Sequence, residues 1–372
     1  MIIVIAPDKF KGCLSAADVA DALAQGLLEA QPRIDVVRFP VADGGDGTVS
    51  AALSRDFSPV EVDAHGPTGE PVRATYARKG SRAVVELAGV CGLEMLPDGR
   101  LDPLGASTFG LGEVLRHAIE SGVTEIVLGI GGSASTDGGA GMVQAMGARL
   151  LDSSGQEVGR GGLALATVAS LDLEPLDTLT RGVSVRIASD VDNPLLGPHG
   201  AAAVFGPQKG ASLEQVALLE DSLTRWARAV SAARGRDDAG HPGAGAAGGT
   251  GYAAKALFGA ELSSGIDLVL DLLQFAEALN GADLVITGEG ALDEQSLAGK
   301  APMGVSNAAR AVGVPVVAVA GVSHLSDEQL RGSGIRAVYP LSDLEPDPQR
   351  SIAEAAALLR RVGIQIAEEW CR

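Results

Sequence analysis

Carboxylates recur in short glycine-rich segments of this chain, at spacings that suit metal and phosphate chemistry. Asp43 and Asp46 lie in VADGGDGT, and Asp190, Asp192 and Asn193 fall within four positions of SDVDNP. Mg²⁺ is usually held by one or two carboxylates together with substrate phosphates, and a carboxylate can also orient a hydroxyl that accepts a phosphoryl group. An Asx-type turn explains each segment equally well, so the residue types alone leave both interpretations open.

Two lysines follow the apolar start of the chain. Lys9 and Lys11 stand in APDKFKG, just before Ser15, which is a predicted helix N-cap. Ammonium groups this close together can hold phosphate or carboxylate oxygens as point charges. A solvated turn is an equally good explanation of the spacing.

A third segment, GIGGSASTDGGAG at residues 129–141, packs small residues between an apolar run and a helical pattern. Backbone N–H groups in such a loop can bind an anion, because glycine allows close approach. The segment lacks the GxxxxGK[ST] spacing of a Walker A loop and the GxGxxG spacing of a dinucleotide fold. It therefore predicts a generic anion-binding loop.

The segment TGEGALDEQSLAGK, residues 287–300, contains further charged groups. Glu289, Asp293 and Lys300 lie in it, and its glycines predict a turn that closes over nucleotide or substrate. A solvated turn that runs into a capped helix is the alternative.

Short β-branched runs that end in Gly, Asp or Ser and lead into helical patterns predict parallel α/β layers. Such runs are residues 1–6, 125–130, 283–287 and 316–320. In open α/β sheets, ligands bind beyond the carboxyl ends of the strands, which is where the glycine-rich segments fall.

Two stretches have a different texture. Pro, Gly and alternating Val, Thr and Tyr predict antiparallel strands over about residues 58–78. Residues 234–251, RGRDDAGHPGAGAAGGTG, are so rich in glycine that they predict a loop, and we interpret it as an active-site loop rather than a linker.

Bulk composition narrows the class of protein. The 372 residues suffice for one large domain or two ordinary ones. The net charge of −18 argues against a nucleic-acid partner, because binding a phosphate backbone requires a basic surface. Any anion site must therefore be built locally from a few lysines and backbone amides.

The cysteines and the apolar runs indicate a cytoplasmic protein. Cys13, Cys91 and Cys371 are widely separated and form no CxxC motif, which favours reduced thiols. The start MIIVIA is too short for a signal peptide, and no run approaches the roughly 18 apolar residues of a membrane span, so no membrane partner is expected. The five histidines show no metal-ligand spacing and receive no role.

Six segments together resemble one family, the bacterial glycerate kinases, over nearly the whole chain. They are IAPDKFKGCLSA, VADGGDGT, GIGGSASTDGGAG, SDVDNPLLGPHGAAAVFGPQKGA, PGAGAAGGTGYA and TGEGALDEQSLAGKAP. Cys13 stands where serine is frequent in the family. Ala291 stands where a basic residue often occurs, which removes a phosphate contact from that segment.

The resemblance implies an α/β fold of two domains. A flavodoxin-like, Rossmann-like parallel-sheet domain, residues 1–58 plus 285–372, would be interrupted by a second α/β domain, residues 59–284. The resemblance also implies ATP and Mg²⁺ as cofactors and D-glycerate as the acceptor, with 2-phosphoglycerate favoured over 3-phosphoglycerate. The quaternary state is left open, with a homodimer as one alternative.

Site roles follow from the resemblance as expectations. Asp190 would orient the reacting hydroxyl, and Lys9 or Lys11 would hold the acceptor carboxylate. Asp43 and Asp192 are the candidate Mg²⁺ ligands. The candidates for binding nucleotide or substrate are Gly44, Gly45, Gly131, Gly132, Ser133, Gly288, Glu289, Gly290 and Lys300.

Two other functions fit parts of the sequence. One is a non-catalytic sensor that binds a sugar acid and uses the glycine-rich loops as anion cradles, although the paired carboxylates argue against it. The other is an NAD-dependent hydroxy-acid dehydrogenase, which the missing dinucleotide fingerprint disfavours.

Overall fold

The computed structural model describes residues 1–297 and 299–371, without the side chains of Gln295, Asp327 and Arg331. The strands of this described part are β1 (Ile2–Pro7), β2 (Asp35–Arg38), β3 (Ser58–His65), β4 (Pro71–Lys79), β5 (Arg82–Glu86), β6 (Glu125–Gly129), β7 (Arg149–Leu151), β8 (Ser170–Asp172), β9 (Ser184–Ala188), β10 (Glu261–Ser263), β11 (Leu284–Leu292), β12 (Val316–Ser323) and β13 (Ile335–Pro340).

Helices alternate with most of these strands. They are α1 (Ala16–Ala30), α2 (Thr48–Leu53), α3 (Ala88–Cys91), α4 (Phe109–Glu120), α5 (Ala140–Ala145), α6 (Glu174–Leu179), α7 (Ala201–Phe205), α8 (Leu213–Arg234), α9 (Ala246–Phe258), α10 (Gly265–Leu272), α11 (Phe275–Ala278), α12 (Glu294–Leu297), α13 (Ala301–Ala311), α14 (Asp327–Ser333), α15 (Pro348–Ala353) and α16 (Ala355–Trp370). None of the helices in the described residues is long and apolar enough to cross a membrane.

The chain divides into two compact units. Unit 1 comprises Met1–Asp43, Ser50–Arg55 and Ser264–Arg372, and unit 2 comprises Gly44–Val49 and Asp56–Ser263. The predicted division into domains, residues 1–58 plus 285–372 and residues 59–284, stays a prediction.

Unit 1 is built on a five-stranded sheet in the order β13-β12-β11-β1-β2, and every neighbouring pair is parallel. Counted within the unit, this is the flavodoxin-like order 2-1-3-4-5. Apolar residues of β1, β11 and β12 pack with α1 and α16 in a common core. The predicted parallel α/β architecture is confirmed.

The first helix of unit 1 begins where the sequence predicts. Ser15 is the N-cap of α1, and its hydroxyl accepts from the Asp18 N–H at 3.1 Å. The Asp18 carboxylate in turn accepts from the Ser15 N–H at 3.3 Å, which completes a capping box. This cap ends the loop that follows β1, and α1 begins at Ala16, directly after Ser15.

Unit 2 contains a six-stranded mixed sheet in the order β10-β9-β6-β5-β4-β3. The pairs from β10 to β5 are parallel, whereas β3, β4 and β5 are antiparallel, as predicted for residues 58–78. A separate antiparallel pair joins β7 and β8. The large core of this unit includes the fully buried Trp226, Tyr76 and Tyr252.

Two local predictions were wrong. The glycine-rich stretch 234–251 is not a loop throughout, because α9 already begins at Ala246, with left-handed backbone at Ala247, Gly248 and Gly249. Residues 288–290 are not a turn, because β11 continues to Leu292 and pairs Glu289 with Ala320 of β12. Pairing with β12 keeps residues 288–290 in a strand that local propensity disfavours, whereas Gly248 and Gly249 have positive φ, which glycine adopts readily.

Candidate active site

Asp8 follows the carboxyl end of β1, where the strand order of unit 1 reverses. The chain leaves β1 for β2 on one side, and β11 lies on the other side. The Asp8 N–H donates to the Gly288 carbonyl at 2.8 Å, which extends the β1–β11 contact to this point. In doubly wound sheets this reversal opens the crevice in which ligands bind.

Asp8 is buried, with 8% of its surface exposed. Burial raises the pKa of Asp8 to about 7, and the negative charges of Asp43 and Glu289 act in the same direction. The Lys9 N–H, which donates to Asp8 Oδ1 at 2.7 Å, and the Lys9 charge oppose the shift. Near neutral pH this carboxyl group is therefore poised between its charged and neutral forms.

Glu289, on β11, is the second buried carboxylate of unit 1, also 8% exposed. Burial raises the pKa of Glu289, assisted by the charges of Asp293 and Asp43, while the Ser296 hydroxyl and Lys300 lower it. Its Oε1 is buried and has no hydrogen-bond partner within residues 1–297 and 299–371. A cation or proton donor brought to this carboxylate would relieve both conditions.

The lysines of unit 1 differ in exposure. Lys9 is half-buried and acts on Asp8, whereas Lys11 is exposed. Lys300 is half-buried at the start of α13, and its charge acts on Glu289. A Cβ on Gly290 would lie 3.5 Å from the backbone nitrogen of Lys11, so β11 and the segment that carries Lys9 and Lys11 lie close together here.

Unit 1 thus brings together several of the predicted residues. The charges of Asp43, Glu289 and Lys9 act on Asp8, a carboxylate that sequence reasoning missed, and Lys300 acts on Glu289. The signal was present, since Asp8 is the first polar residue after a buried strand and precedes Lys9.

In unit 2, the loop that begins at Gly44 is held by Glu86, the last residue of β5. The Glu86 carboxylate accepts from the Gly47 N–H and the Val49 N–H, each at 3.0 Å. Thr48 Oγ1 donates to the Gly45 carbonyl at 2.6 Å. Glu86 is a further residue that sequence reasoning missed, because its partners lie some forty positions earlier.

Glycines of this loop meet the carboxyl ends of β6 and β9. Gly44 has φ +88°, and a Cβ there would lie 2.5 Å from the Ala188 Cβ. A Cβ on Gly131 would lie 2.7 Å from the Gly45 Cα. The structure therefore places Gly45 beside Gly131 and Gly44 beside Ala188, at neighbouring strand ends.

Asp137 sets the shape of the loop 129–141. Its buried carboxylate accepts from the Thr108 N–H at 2.7 Å and the Thr108 hydroxyl at 2.9 Å, and also from the N–H groups of Gly139 and Gly141. The acceptor sites of Asp137 are used inside the protein, so this acidic residue is structural.

Lys209 is a buried lysine that contacts the loop 129–141, and sequence reasoning missed it. Its ammonium donates to Ser133 Oγ at 2.8 Å and to the Ser135 carbonyl. Burial lowers the pKa of Lys209 to about 7, and the charge of Asp137 opposes this shift. The residue stands in GPQKGA, a segment of the family resemblance whose lysine had not been weighed.

Asp190 and Asp192 are exposed and follow the carboxyl end of β9. Their loop is anchored at both ends, because the Ser189 N–H donates to the Ser263 carbonyl at 3.1 Å and Asn193 Nδ2 donates to the His199 carbonyl at 2.8 Å. The two carboxylates follow Ala188, the last residue of β9, which Gly44 closely approaches.

The two predicted Mg²⁺ ligands belong to different units, Asp43 to unit 1 and Asp192 to unit 2. Within the described residues, no group of three or more Asp, Glu, His or Cys side chains is placed to hold a metal ion by itself.

Comparisons with known proteins agree over the whole chain. The model of the glycerate kinase family matches residues 3–371. A glycerate kinase of Bacillus subtilis (strain 168) is 42% identical over 370 residues, covering 99% of this chain and 97% of that protein. A glycerate 2-kinase of Escherichia coli (strain K12) is 45% identical over 347 residues, covering 91% and 90%.

A solved structure gives the same result. The crystal structure of a Salmonella typhimurium LT2 protein, described as a glycerate kinase 2, superposes with a TM-score of 0.87 at 42% identity. The match covers 99% of this chain and 98% of that one.

Proposed function

Because the chain belongs to the glycerate kinase family, we propose that it transfers the γ-phosphoryl group of ATP to the 2-hydroxyl of D-glycerate. The bond between Pγ and the bridging oxygen breaks, a new P–O bond forms to the hydroxyl oxygen, and ADP and 2-phosphoglycerate leave. The choice of the 2-position is supported by the name of the Escherichia coli relative, a glycerate 2-kinase.

The observation that carries the proposal is the charge arrangement at the strand-order reversal of unit 1. Two buried carboxylates with raised pKa, Asp8 and Glu289, stand there with Asp43 and two lysines. Phosphoryl transfer is catalysed mainly by positioning and charge neutralisation, which requires charged groups of both signs fixed beside the reactants.

Mg²⁺, when bound, would supply positive charge that offsets the negative charge of the nucleotide phosphates. Asp43 is the proposed ligand in unit 1. The assignment is supported by Glu289, whose charge interacts with that of Asp43 and whose buried Oε1 has no hydrogen-bond partner among the described residues. Asp192 is the proposed ligand in unit 2.

Binding of the two substrates is assigned as follows. The N–H groups of Gly44, Gly45 and residues 131–133 hold nucleotide phosphates, an assignment supported by the close approach of these glycines. Gly288, Glu289, Gly290 and Lys300 bind nucleotide or substrate from unit 1, and Lys9 or Lys11 holds the glycerate carboxylate.

Asp190 is proposed to orient the acceptor hydroxyl and receive its proton. Asp190→Asn should lower kcat by roughly a hundredfold or more while the melting temperature stays unchanged, because the residue is exposed. The assay couples glycerate-dependent ADP release to NADH oxidation, with Asp63→Asn on the exposed edge strand β3 as a matched control. Near-wild-type turnover of Asp190→Asn would remove this residue from the proposal.

The position of phosphorylation is tested separately. Phosphorus NMR of the product distinguishes 2-phosphoglycerate from 3-phosphoglycerate, and a 3-phosphate would overturn the assignment. The family match favours the kinase over the two alternatives raised by the sequence, a sugar-acid sensor and a hydroxy-acid dehydrogenase.

We further propose a cytoplasmic location, which the free thiols of Cys13, Cys91 and Cys371 support. A homodimer stays a proposal that light scattering at several protein concentrations would test.

A further inference from the structure

Lys209 is a buried lysine that none of the proposed steps uses. It ends the short 3₁₀ turn Pro207–Lys209, directly before Gly210, and is 2% exposed. Its ammonium donates to Ser133 Oγ at 2.8 Å and to the Ser135 carbonyl. It therefore binds the glycine-rich loop at two points, one of which is a proposed nucleotide contact.

Burying the Lys209 ammonium carries a desolvation penalty that two hydrogen bonds do not require. Taking an ammonium out of water carries a large desolvation penalty, which an apolar residue of similar length avoids. Asp137 is the charged group that acts on Lys209, but its carboxylate is already shared among the hydrogen bonds from Thr108. A group that lowers stability in this way is typical of residues kept for function.

Two hydroxyls in the segment that Lys209 contacts give independent support for a functional role. Ser135 Oγ and Thr136 Oγ1 are buried and have no hydrogen-bond partner in the described part of the chain. Buried polar atoms are normally paired, and exceptions call for a specific explanation such as a bound group or water. The segment 133–136 thus carries more polar groups than its own folding requires.

We propose that Lys209 is a positioning residue for the nucleotide: its ammonium fixes Ser133 and places a positive charge behind residues 131–133, where the phosphates of ATP bind. The inference rests on the proposed function, because that function assigns the phosphates to this loop. Lysine suits the role because its point charge also attracts the phosphates that the loop amides hold.

Lys209→Met is the principal test, because methionine fills a similar volume without charge or donors. The change leaves Ser133 Oγ and the Ser135 carbonyl unpaired but removes a buried charge, so opposing effects keep the change in melting temperature small. ATP binding, measured by isothermal titration calorimetry without glycerate, should weaken by at least about tenfold. KM for ATP should rise by a similar factor, while KM for glycerate changes much less.

Ser133→Ala separates an effect through this hydroxyl from a general one. If the ammonium acts by fixing Ser133, the double variant should bind ATP no more than about twofold more weakly than Lys209→Met alone. Fully additive losses would overturn the positioning role.

The pH dependence tests the charge itself. The ammonium is lost as the pH rises through the lowered pKa of Lys209, about 7, and Asp137 is the charged group that opposes this loss. The ratio of the ATP dissociation constants of Lys209→Met and wild type should therefore fall by at least about threefold between about pH 6 and about pH 9. A ratio that does not change with pH would contradict the proposal.

Trp226→Phe is the matched control, because Trp226 Nε1 donates to the Gly138 carbonyl of the same loop at 3.0 Å. It should lower the melting temperature and leave ATP binding unchanged. If it weakens ATP binding as much as Lys209→Met does, both act through the folding of the loop, and the inference fails. Failure of the proposed function is distinguishable, since it would appear as a wild-type protein that binds ATP without glycerate-dependent ADP release.

Discussion

The two units each bury an ionisable group whose pKa lies near 7, but they reach that value from opposite directions. In unit 1, burial and the like charges of Asp43 and Glu289 raise the pKa of Asp8 to about 7. In unit 2, burial lowers the pKa of Lys209 to about 7, against the attraction of Asp137. Unit 1 places several negative charges close together around Asp8, whereas unit 2 buries the single positive charge of Lys209.

The difference also extends to how each site is held. The loop of unit 2 is fixed from several sides, by Asp137, Lys209 and Trp226 and by glycines packed against its backbone. In unit 1, Glu289 Oε1 is buried without a hydrogen-bond partner among the described residues, and the charge of Asp43 acts against that of Glu289. Unit 2 is therefore organised before ligand arrives, whereas unit 1 gains stability when a cation or proton arrives.

Gly248→Ala should break the organisation of unit 2 and have the largest effect on stability. Gly248 has φ +66°, and a Cβ would lie 2.1 Å from the Ser135 carbonyl oxygen, which is backbone and cannot move aside easily. Backbone strain and overpacking together should lower the free energy of unfolding by on the order of 3 kcal/mol or more. Urea unfolding followed by the fluorescence of Trp226 measures the loss.

Gly12→Ala in unit 1 is the control for the backbone conformation alone. Gly12 has φ +72°, similar to that of Gly248, but no atom lies within 4 Å of a Cβ built there. It should lower the free energy of unfolding by only about 1 kcal/mol. Equal losses from the two substitutions would show that the loop of unit 2 is not closely packed.

Asp8→Asn tests the charge concentration of unit 1. Removing this carboxyl group should lower kcat/KM by about a hundredfold, because the cluster loses an acceptor that can take protons and hold cations near neutral pH. The melting temperature should stay constant or rise, since the substitution removes a buried charge that Asp43 and Glu289 repel. The coupled ADP assay and differential scanning calorimetry measure the two effects.

Asp21→Asn serves as the matched control in unit 1. Asp21 is more than half exposed and pairs with Arg38 at 2.6 Å, so its removal should change stability by less than about 1 kcal/mol and leave turnover intact. Should Asp8→Asn turn over as fast as Asp21→Asn, the charge cluster of unit 1 would have no part in the reaction.

The sequence predicted the layers of both units because apolar runs bounded by glycine and aspartate are local signals. The run IIVIA and the later LVIT are buried strands, and Ser15 caps the helix that was expected to follow. Strand order, by contrast, depends on which runs pair, and a single sequence does not contain that pairing in local form.

The missed residues share a physical cause. Asp8 owes its raised pKa first to burial and then to the charges of Asp43 and Glu289, which are distant in sequence. Lys209 belongs to a residue type that is almost never fully buried. Glu289 was predicted to lie in a turn, but pairing of β11 with β12 keeps residues 288–290 in a strand, and its functional role stays a prediction. Burial and pairing arise only in the folded chain, so composition and spacing cannot give them.

The smallest expected effect is a pair of opposite slopes in stability against pH. Asp8 binds its proton more tightly when folded, so from about pH 6 to about pH 7 the stability of unit 1 should fall as the pH rises. Lys209 binds its proton less tightly when folded, so above about pH 7 the stability of unit 2 should rise with pH. Each group contributes at most about 1.4 kcal/mol per pH unit.

The two tryptophans of the chain allow each slope to be measured in its own unit. Trp226 is buried in α8 of unit 2, and Trp370 ends α16 of unit 1, where its Nε1 donates to the Tyr339 hydroxyl at 2.9 Å. Trp370→Phe leaves the probe of unit 2, and Trp226→Phe leaves the probe of unit 1. In metal-free buffer, Asp8→Asn should remove the falling slope seen by Trp370, and Lys209→Met should remove the rising slope seen by Trp226. If Asp8→Asn leaves the falling slope in place, or Lys209→Met leaves the rising slope in place, that group does not titrate as assigned, and the contrast between the units is wrong.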